Sequence, residues 1–382
     1  MSEIASSSKA AVYAAPQIAA GTIPETPSWQ TCTLTSCNIK EAPNTVESAR
    51  IRADRNPTGS FTTTRSSSGD IADEVSYGGT TDTFLEALMC STWATARTYT
   101  ASTISTAAAD NSINDSASGM TIFEVGEKID VTGIATLTGV VVVSSTASKL
   151  VVSGETLADI AAGTETTIAS QAQSVSIGTT EHPFLVLKEF GDLAAGAGKY
   201  EQYKGEFVNQ AAFSMGTDSL AGVTWSFVGR EMNIPDYTSV TATAAASTDP
   251  MKGIATIATV DGSAYAYVTQ LDLTVTNNIA TTNFLNYGID TSLGKVGITG
   301  TLTIGYTSAT FTEKYIADDT INLGWTLSDL AGNKYIFTLP KVRIGAVPTD
   351  INGSDSIKSG IEISAAYDGD TGVAMTIERR PA

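Results

Sequence analysis

Apolar and polar residues alternate along several stretches of the chain, with the period of two that half-buried β-strands show. Near the end of the chain, Ile361 and Ile363 alternate with Glu362. The clearest stretch covers residues 263–278, where a polar face that includes Asp272 opposes a predicted apolar face. That apolar face consists of Tyr265, Tyr267, Leu271, Leu273 and Val275. The pattern predicts a chain built mainly from strands.

Two strand pairs follow from the same alternation. Residues 321–340 alternate on both sides of the segment SDLAGN, whose residue types favour a turn, and they therefore predict a β-hairpin. A second pair is predicted at residues 206–215 and 222–232, which the segment GTDSLA separates.

Only two segments have the spacing of a helix. In residues 81–93, apolar side chains recur at the i, i+4 spacing of one helix face, and Thr81 or Asp82 is the expected N-cap. Residues 310–319 predict a shorter helix. The fold class predicted from these patterns is mainly β with a minor α component, in which one or two short helices cover a sheet.

The chain divides into three parts by composition. Residues 1–30 are rich in Ala, Ser and Pro without periodicity, and we expect a flexible N-terminal arm there. Residues 104–180 contain several short strand signals and predict a small inserted β-barrel. The main domain is then discontinuous and consists of residues 31–103 and 181–382.

Charge and composition reduce the number of possible functions. The 382 residues carry a formal charge of −18, which argues against wrapping nucleic acid, because binding phosphate requires Lys and Arg. That charge does not argue against enclosing DNA without adhering to it. The N-terminus has no continuous apolar region of a cleaved signal peptide, and no apolar run approaches the roughly 20 residues of a membrane helix. We therefore expect no membrane association.

Candidate catalytic and ligand-binding residues are few. His182 is the single histidine, and no GxSxG motif accompanies it. The three cysteines lack metal-ligand spacing, and the glycines before Lys199 do not match a phosphate-binding loop. The acidic segments 349–356 and 367–372 fit either a calcium site or, more simply, surface turns. The sequence predicts no catalytic residue, no metal, no cofactor and no enzyme.

Arginines gather in one short segment and carboxylates follow it. Four of the nine arginines fall within sixteen residues: Arg50, Arg52, Arg55 and Arg65. Asp70, Asp73 and Glu74 come next. Three interpretations remain open, namely a nucleic-acid patch, a solvated loop, and a contact between subunits that pairs the basic half with the acidic half of a neighbour.

The order of these features resembles the tail tube proteins of long-tailed bacteriophages. Residues 43–93 resemble that family's N-terminal block, in which an Arg-bearing segment leads to an SGDI strand and a helix. Residues 184–232 resemble its central strand pair, and residues 261–280 and 297–344 resemble its C-terminal half. The resemblance covers roughly residues 25–103 and 181–380 and leaves out the predicted insert, which is similar to the outward-facing extra domain of many such proteins.

The resemblance implies a β-sandwich or barrel-like protomer that assembles with itself. Six subunits would form a ring, and stacked rings would form a hollow tube through which DNA passes without specific binding. The partners implied are tape measure, tail terminator and distal tail proteins. The protein would be a structural part of the virion, assembled in the cytoplasm of the bacterial host, where it serves genome delivery.

Two groups of residues receive roles on this interpretation. Arg50, Arg52, Arg55 and Arg65 are candidates for the subunit interface. Glu74, Asp272 and Glu362 are candidates for an acidic channel wall, with the outer solvent as the alternative that they face. The rival functions are a bacterial surface or adhesin-like β-protein and another virion part, such as a tail-completion or decoration protein.

Overall fold

The chain folds into antiparallel sheets with two short α-helices in the described ranges. The computed structural model describes residues 5–51, 54, 56, 58–194, 198–246, 248–255, 257–285, 288–351 and 356–382. The first part contains β1 (Ala10–Pro16), β2 (Trp29–Thr31), β3 (Ser36–Cys37), β4 (Lys40–Glu47), β5 (Ser60–Glu74) and α1 (Gly79–Met89). Next come β6 (Thr98–Ala101), β7 (Ile104–Ala107), β8 (Ser112–Asp115), β9 (Lys128–Thr132), β10 (Leu137–Thr146), β11 (Lys149–Ser153) and β12 (Thr166–Ser170).

The strands after residue 170 complete the main body. They are β13 (Gln173–Ser176), β14 (Phe184–Phe190), β15 (Tyr200–Gly216), β16 (Gly222–Gly229), β17 (Glu231–Asn233), β18 (Ala242–Thr243), β19 (Ile257–Val260), β20 (Ser263–Ala264), β21 (Val268–Thr276), β22 (Ala280–Phe284) and β23 (Gly288–Ser292). The last elements are β24 (Gly297–Gly305), α2 (Thr310–Ala317), β25 (Thr320–Ser328), β26 (Lys334–Ile344), β27 (Lys358–Ala365) and β28 (Thr376–Arg380). Short 3₁₀ turns lie at Ser7–Lys9, Met120–Ile122 and Gly253–Ala255.

The main body is a β-sandwich. Its front layer has the strand order β5-β16-β15-β21-β24-β27. Strand β26 pairs with β27 at one end, with β28 at the other, and with β25 along its opposite edge, so it leads the sheet into a second layer. Phe213 of the front layer meets Phe337 of the second with ring centroids 5.4 Å apart. The prediction of a mainly β fold is confirmed.

Both predicted strand pairs are confirmed. Strands β25 and β26 form the expected hairpin, and β15 pairs with β16. The predicted apolar face of β21 holds for its buried Leu and Val residues but is wrong for Tyr267, which is 58% exposed. The pairing of β21 with β24 shifts register between Val268 and Gln270, so residues before the shift no longer follow the alternation.

Helix α1 covers the apolar side of the front layer. The predicted helix is confirmed, but the N-cap is Gly78 and not Thr81 or Asp82. The backbone at Gly78 has φ of 82°, a conformation that glycine adopts without strain, so the chain turns into the helix one turn earlier than the side chains suggested. Phe84 makes edge-to-face contacts with the rings of Phe184, Trp225 and Phe227.

A second sheet has its own core. Its seven strands have the order β6-β12-β9-β10-β11-β8-β7, and Ile113, Ile129, Leu150 and Ile168 are buried between them. The sheet begins earlier than the expected residue 104, and β13 belongs to the main body because it pairs with β28. Ion pairs join the two parts, including one of 3.7 Å between Arg97 and Glu378.

The N-terminal segment is partly ordered in the single chain. Residues 10–16, which we expected to lie in a flexible arm, form β1 and pair with β14 over their whole length. Val12, Ala14 and Ala15 are buried. Apolar burial of these small side chains explains why a segment without strong periodicity is held in place.

A hairpin extends beyond the sandwich. Strand β5 pairs with β16 only from Ser67 to Glu74, whereas its first part, from Ser60, pairs only with β4. We call the described residues 43–51, 54, 56 and 58–64 the tongue. Val46 and Phe61 lie directly opposite each other on it and are 53% and 63% exposed.

Truncating Phe84 should destabilise the main body. The Phe84→Ala variant loses three ring contacts in a buried site, and a buried Phe→Ala change costs about 3–5 kcal/mol. All four tryptophans lie outside the second sheet, so urea unfolding followed by tryptophan fluorescence reports on the main body alone. Leu330→Ala, at a position that is 73% exposed, is the control and should change stability by less than about 0.5 kcal/mol. Equal stability of the two variants would contradict this account of the core.

Candidate assembly and channel surfaces

Glu74, Asp272 and Glu362 lie in one row across the front layer. Glu74 is paired with Gly222, Gly222 with Ser214, and Ser214 with Asp272. Asp272 is paired in turn with Thr301, and Thr301 with Glu362. Since directly paired residues of antiparallel strands point to the same side of the sheet, the three carboxylates share one face. Glu74 and Glu362, which are 288 positions apart in sequence, are thereby brought onto one surface.

The rest of that face is small and polar. The neighbouring row of paired residues contains Ala72, Thr224, Ala212, Thr274, Thr299 and Ser364. The opposite face of the same strands is apolar and buried, and it carries Trp225, Phe213, Leu273 and Ile363. We call the surface that carries Glu74, Asp272 and Glu362 the polar face. It is wide and lined mostly by short hydroxyl side chains and carboxylates.

The acidic residues that follow the arginines do not form one surface. Asp70 is on the polar face, where it accepts a hydrogen bond of 2.6 Å from the Ser226 hydroxyl. Asp73 points to the other side, is buried, and accepts a hydrogen bond of 2.5 Å from the Thr33 hydroxyl. Burial raises the pKa of Asp73, while the hydrogen bond from Thr33 lowers it. Asp73 is therefore a structural residue in this chain and is not available to a neighbour's arginine.

Of the four arginines, Arg50 belongs to the tongue and Arg65 to its base. Arg50 is exposed, and its guanidinium has no partner in the described part of the chain. Arg65 lies on β5, where it is 3.5 Å from a carboxylate oxygen of Glu41 on β4 and its side chain stays 61% exposed. Arg52 and Arg55 lie outside the described residues. An exposed ion pair of this kind contributes little to stability, so Arg65 remains free to contact another chain.

Glu206 is a buried carboxyl at the base of the tongue, and sequence reasoning missed it. It has no exposed surface, one of its oxygens accepts a hydrogen bond from the Ser67 hydroxyl, and the other has no partner in the described structure. A Cβ atom on Gly229 would collide with the Glu206 carboxyl group and the Ser67 hydroxyl, so a larger residue there would have to displace them. Burial raises the pKa of Glu206 to about 7, although the Ser67 hydrogen bond and the charge of Lys188 lower it.

One signal in the sequence points to Glu206. Gly205 precedes it in the middle of a strand, with φ of 63°, and the pairing of β15 with β14 shifts register there. A glycine inside a strand often marks such a bulge, which re-aims the next side chain. The bulge turns Glu206 inward, but the pattern alone does not say what it meets.

In the described structure, the residues considered for chemistry are not brought together as a metal-holding cluster. Within the described ranges, no group of three or more His, Cys, Asp or Glu side chains could hold a metal ion. His182 has a buried Nε2 without a partner there, and burial raises the pKa of the Cys32 and Cys90 thiols. Segment 349–356 lies partly outside the described residues. In segment 367–372, Asp368 accepts hydrogen bonds from the backbone and hydroxyl of Thr371, as in an ordinary acidic turn.

Comparison with known families shows which family the chain belongs to. A family model described as phage tail tube protein matches residues 7–369, which is nearly the whole chain and includes the second sheet. The chain belongs to the phage tail tube protein family. Comparison with curated proteins gives no match.

Membership of the tail tube family establishes the general role of the protein. The protein is a structural component of a phage tail, and its family implies that it assembles with itself and with other tail proteins. The family is a structural one and not an enzyme family. No helix in the described ranges is long and apolar enough to span a membrane.

Glu206 should make the stability of this tail tube protein depend on pH. Its pKa is raised from 4.5 to about 7 in the fold, so between these values the folded state holds a proton that the unfolded chain has released. The contribution of the Glu206 carboxyl to the free energy of unfolding is fully present below pH 4.5 and is lost as the pH rises through 7. We therefore compare the free energy of unfolding of Glu206→Gln with that of wild type at each pH. The difference should favour the variant more at pH 8 than at pH 4.5, by at most about 3 kcal/mol.

Urea unfolding at pH 4.5, 6 and 8 measures the difference between the wild type and the variant. Glu231→Gln is the matched control, because that side chain is 58% exposed and pairs with Lys204 at the surface. A constant difference between Glu206→Gln and wild type across these pH values would show that Glu206 titrates normally.

Proposed function

We propose that the protein forms the wall of a hollow phage tail tube and that the polar face lines its channel. Six copies form a ring, and rings stack into a tube through which DNA reaches the host cell. The observation that carries the proposal is the single row of Glu74, Asp272 and Glu362 across six paired strands. A sheet of this width, with one buried face and one small polar face, is suited to a shared barrel wall.

Charge and side-chain size both support a channel wall. Carboxylates repel DNA phosphates, so a duplex would slide along this surface and not adhere to it. The Thr, Ser and Gly residues between the carboxylates are short. Few side chains on this face could therefore bind the DNA bases or the DNA backbone. The net charge of −18 for each chain makes subunit contacts costly unless they bury apolar surface or pair opposite charges.

The tongue and its base at Arg65 form the surface proposed for subunit contacts. Arg50, Arg52, Arg55 and Arg65 would meet carboxylates of neighbouring copies there. Arginine forms bidentate pairs with carboxylates, which fix register and orientation more than they add affinity. The second sheet, Thr98–Ser170, would lie on the outside of the tube.

The same proposal names partners and location. Tape measure, tail terminator and distal tail proteins would contact the tube in the virion, and assembly would take place in the host cytoplasm. Electron microscopy of the purified protein, with and without salt, tests the proposal. Hollow rings or tubes of uniform diameter support it, whereas a persistent monomer at high concentration by light scattering contradicts it.

Reversing the charge of the row should slow DNA release. The triple variant Glu74→Lys, Asp272→Lys and Glu362→Lys replaces repulsion of the phosphates by attraction at several points along the channel. Particles with these tails should release DNA more slowly by about tenfold or more at low salt, and the effect should shrink as salt screens it. Dye fluorescence after triggered ejection measures the rate.

A triple variant on other exposed carboxylates is the matched control. Glu155→Lys, Glu165→Lys and Glu181→Lys change the formal charge by the same amount away from the polar face. These particles should eject DNA at the wild-type rate. Unchanged ejection from the polar-face variant would remove its three residues from the channel wall.

A further inference from the structure

The chain crosses between the main body and the second sheet twice, before β6 and after β12. The two crossings lie side by side, since the backbone N–H of Ala94 donates a hydrogen bond of 2.7 Å to the carbonyl of Ser174. We call these two crossings, residues 94–97 and 170–174, the joint. Because both connections pass through one place, they do not by themselves fix the angle of the second sheet on the main body.

The buried apolar clusters of the described residues do not reach across the joint. The core of the second sheet takes all of its side chains from residues 98–170, and the other two clusters take theirs from the main body. Two parts of a chain that share no large apolar interface are expected to move relative to each other. Contacts of another kind are therefore needed to hold the second sheet in one orientation.

Four charged side chains form a closed cycle of ion pairs beside the joint. Arg97 directly precedes β6 and Glu124 lies shortly before β9, so both belong with the second sheet, whereas Glu378 and Arg380 lie on β28 of the main body. The Arg97 guanidinium is 3.4 Å from Glu124 and 3.7 Å from Glu378. Arg380 is paired with the same two carboxylates. We call these four side chains the clasp.

A buried carboxylate fixes the position of Arg97 in the clasp. Glu127 has no exposed surface, and one of its oxygens is 2.6 Å from the Arg97 guanidinium and accepts a hydrogen bond of 2.5 Å from the Ser170 hydroxyl. Its other oxygen accepts a hydrogen bond of 2.6 Å from the backbone N–H of Glu124. Ion pairs in such a connected and partly buried network contribute more than isolated surface pairs.

Two further hydrogen bonds reinforce the clasp. Arg380 donates to the backbone carbonyl of Val125 over 3.4 Å, and the Lys128 ammonium donates to the backbone carbonyl of Ala382. Each of them joins the second sheet to the chain at or just after β28. A single guanidinium, that of Arg380, therefore contacts two carboxylates and one carbonyl, which the fork of an arginine allows.

We propose that the clasp holds the second sheet in one orientation on the main body, and that opening the clasp lets the second sheet swing about the joint. The inference concerns a single chain and goes beyond the proposed tube, which neither requires nor excludes it. An orientation that depends on ion pairs responds to ionic strength, because salt screens the attraction between charges.

Hydrogen–deuterium exchange of the full chain, read by mass spectrometry, tests the proposal. Arg380→Gln removes one charge of the clasp, so amide exchange in the joint should rise by about tenfold or more over wild type. Arg343→Gln is the matched control, because Arg343 pairs with Asp318 at the surface of the main body. It should leave exchange in the joint within about twofold of wild type. Unchanged exchange in the joint of Arg380→Gln would overturn the proposal.

A second variant opens the clasp from the other side. Glu124→Gln should also speed exchange in the joint, whereas Glu155→Gln, at an exposed position of the second sheet, should not. If the two residues act through one clasp, the double variant Glu124→Gln and Arg380→Gln should exchange within about twofold of either single variant. Rates that multiply in the double variant would show two independent contacts and overturn the clasp as a unit.

Unchanged exchange in β9 and β25 shows that the cores of both parts stay folded. If one variant unfolds, the other carries the same prediction. Light scattering verifies that all samples have the same assembly state. A protein that forms no tubes contradicts the proposed function and leaves this test intact, whereas a failed test overturns the clasp and leaves the tube intact.

Salt shows whether the clasp acts through charge. The Debye length falls from about 10 Å at 0.1 M to about 3 Å at 1 M salt, and the Glu124 side chain is 53% exposed and open to screening. Raising sodium chloride across this range should speed exchange in the joint of wild type by about threefold or more. The same change should have little effect on Arg380→Gln. An equal response of the two proteins to salt would overturn the proposal.

Discussion

The strict alternation of side chains along paired strands is the constraint on which the rest of this structure depends. Six antiparallel strands from β5 to β27 stay in register across the carboxylate row and the row beside it, so each side chain there is assigned to one of two faces. One face carries Trp225, Phe213 and Leu273 and must be buried. Burying it against the second layer and α1 leaves the polar face as the broad free surface of the sandwich. The carboxylate row is therefore a consequence of how the core is formed.

The same constraint leaves exposed edges that an assembly would cover. In the described structure, β4 pairs on one side only, and the ribbon that it forms with β5 projects from the sandwich with apolar side chains in solvent. An unpaired edge with exposed apolar groups promotes uncontrolled aggregation unless a defined partner occupies it. Pro43 and several charges on this ribbon limit nonspecific strand pairing. A tube built from copies of the chain turns the same surface into a specific contact.

Sequence patterns predicted β15, β16, β21, β24, β27, both helices and the β25–β26 hairpin, because each depends on residues that are neighbours along the chain. They also placed Glu74, Asp272 and Glu362 on polar strand faces, but not in one row. That alignment depends on the register between strands far apart in sequence. Local reasoning failed where a bulge changed the alternation, as at Tyr267 and Glu206. It also failed for residues 10–16, whose order comes from pairing with β14.

The central claim is that the polar face lines a channel, and a cryo-electron microscopy reconstruction of the assembled particle tests it most directly. The account predicts a hollow tube whose inner wall consists of β5, β16, β15, β21, β24 and β27 from each subunit. In that reconstruction Glu74, Asp272 and Glu362 point toward the axis. A particle in which these carboxylates face the outer solvent or lie in a subunit contact would contradict the account.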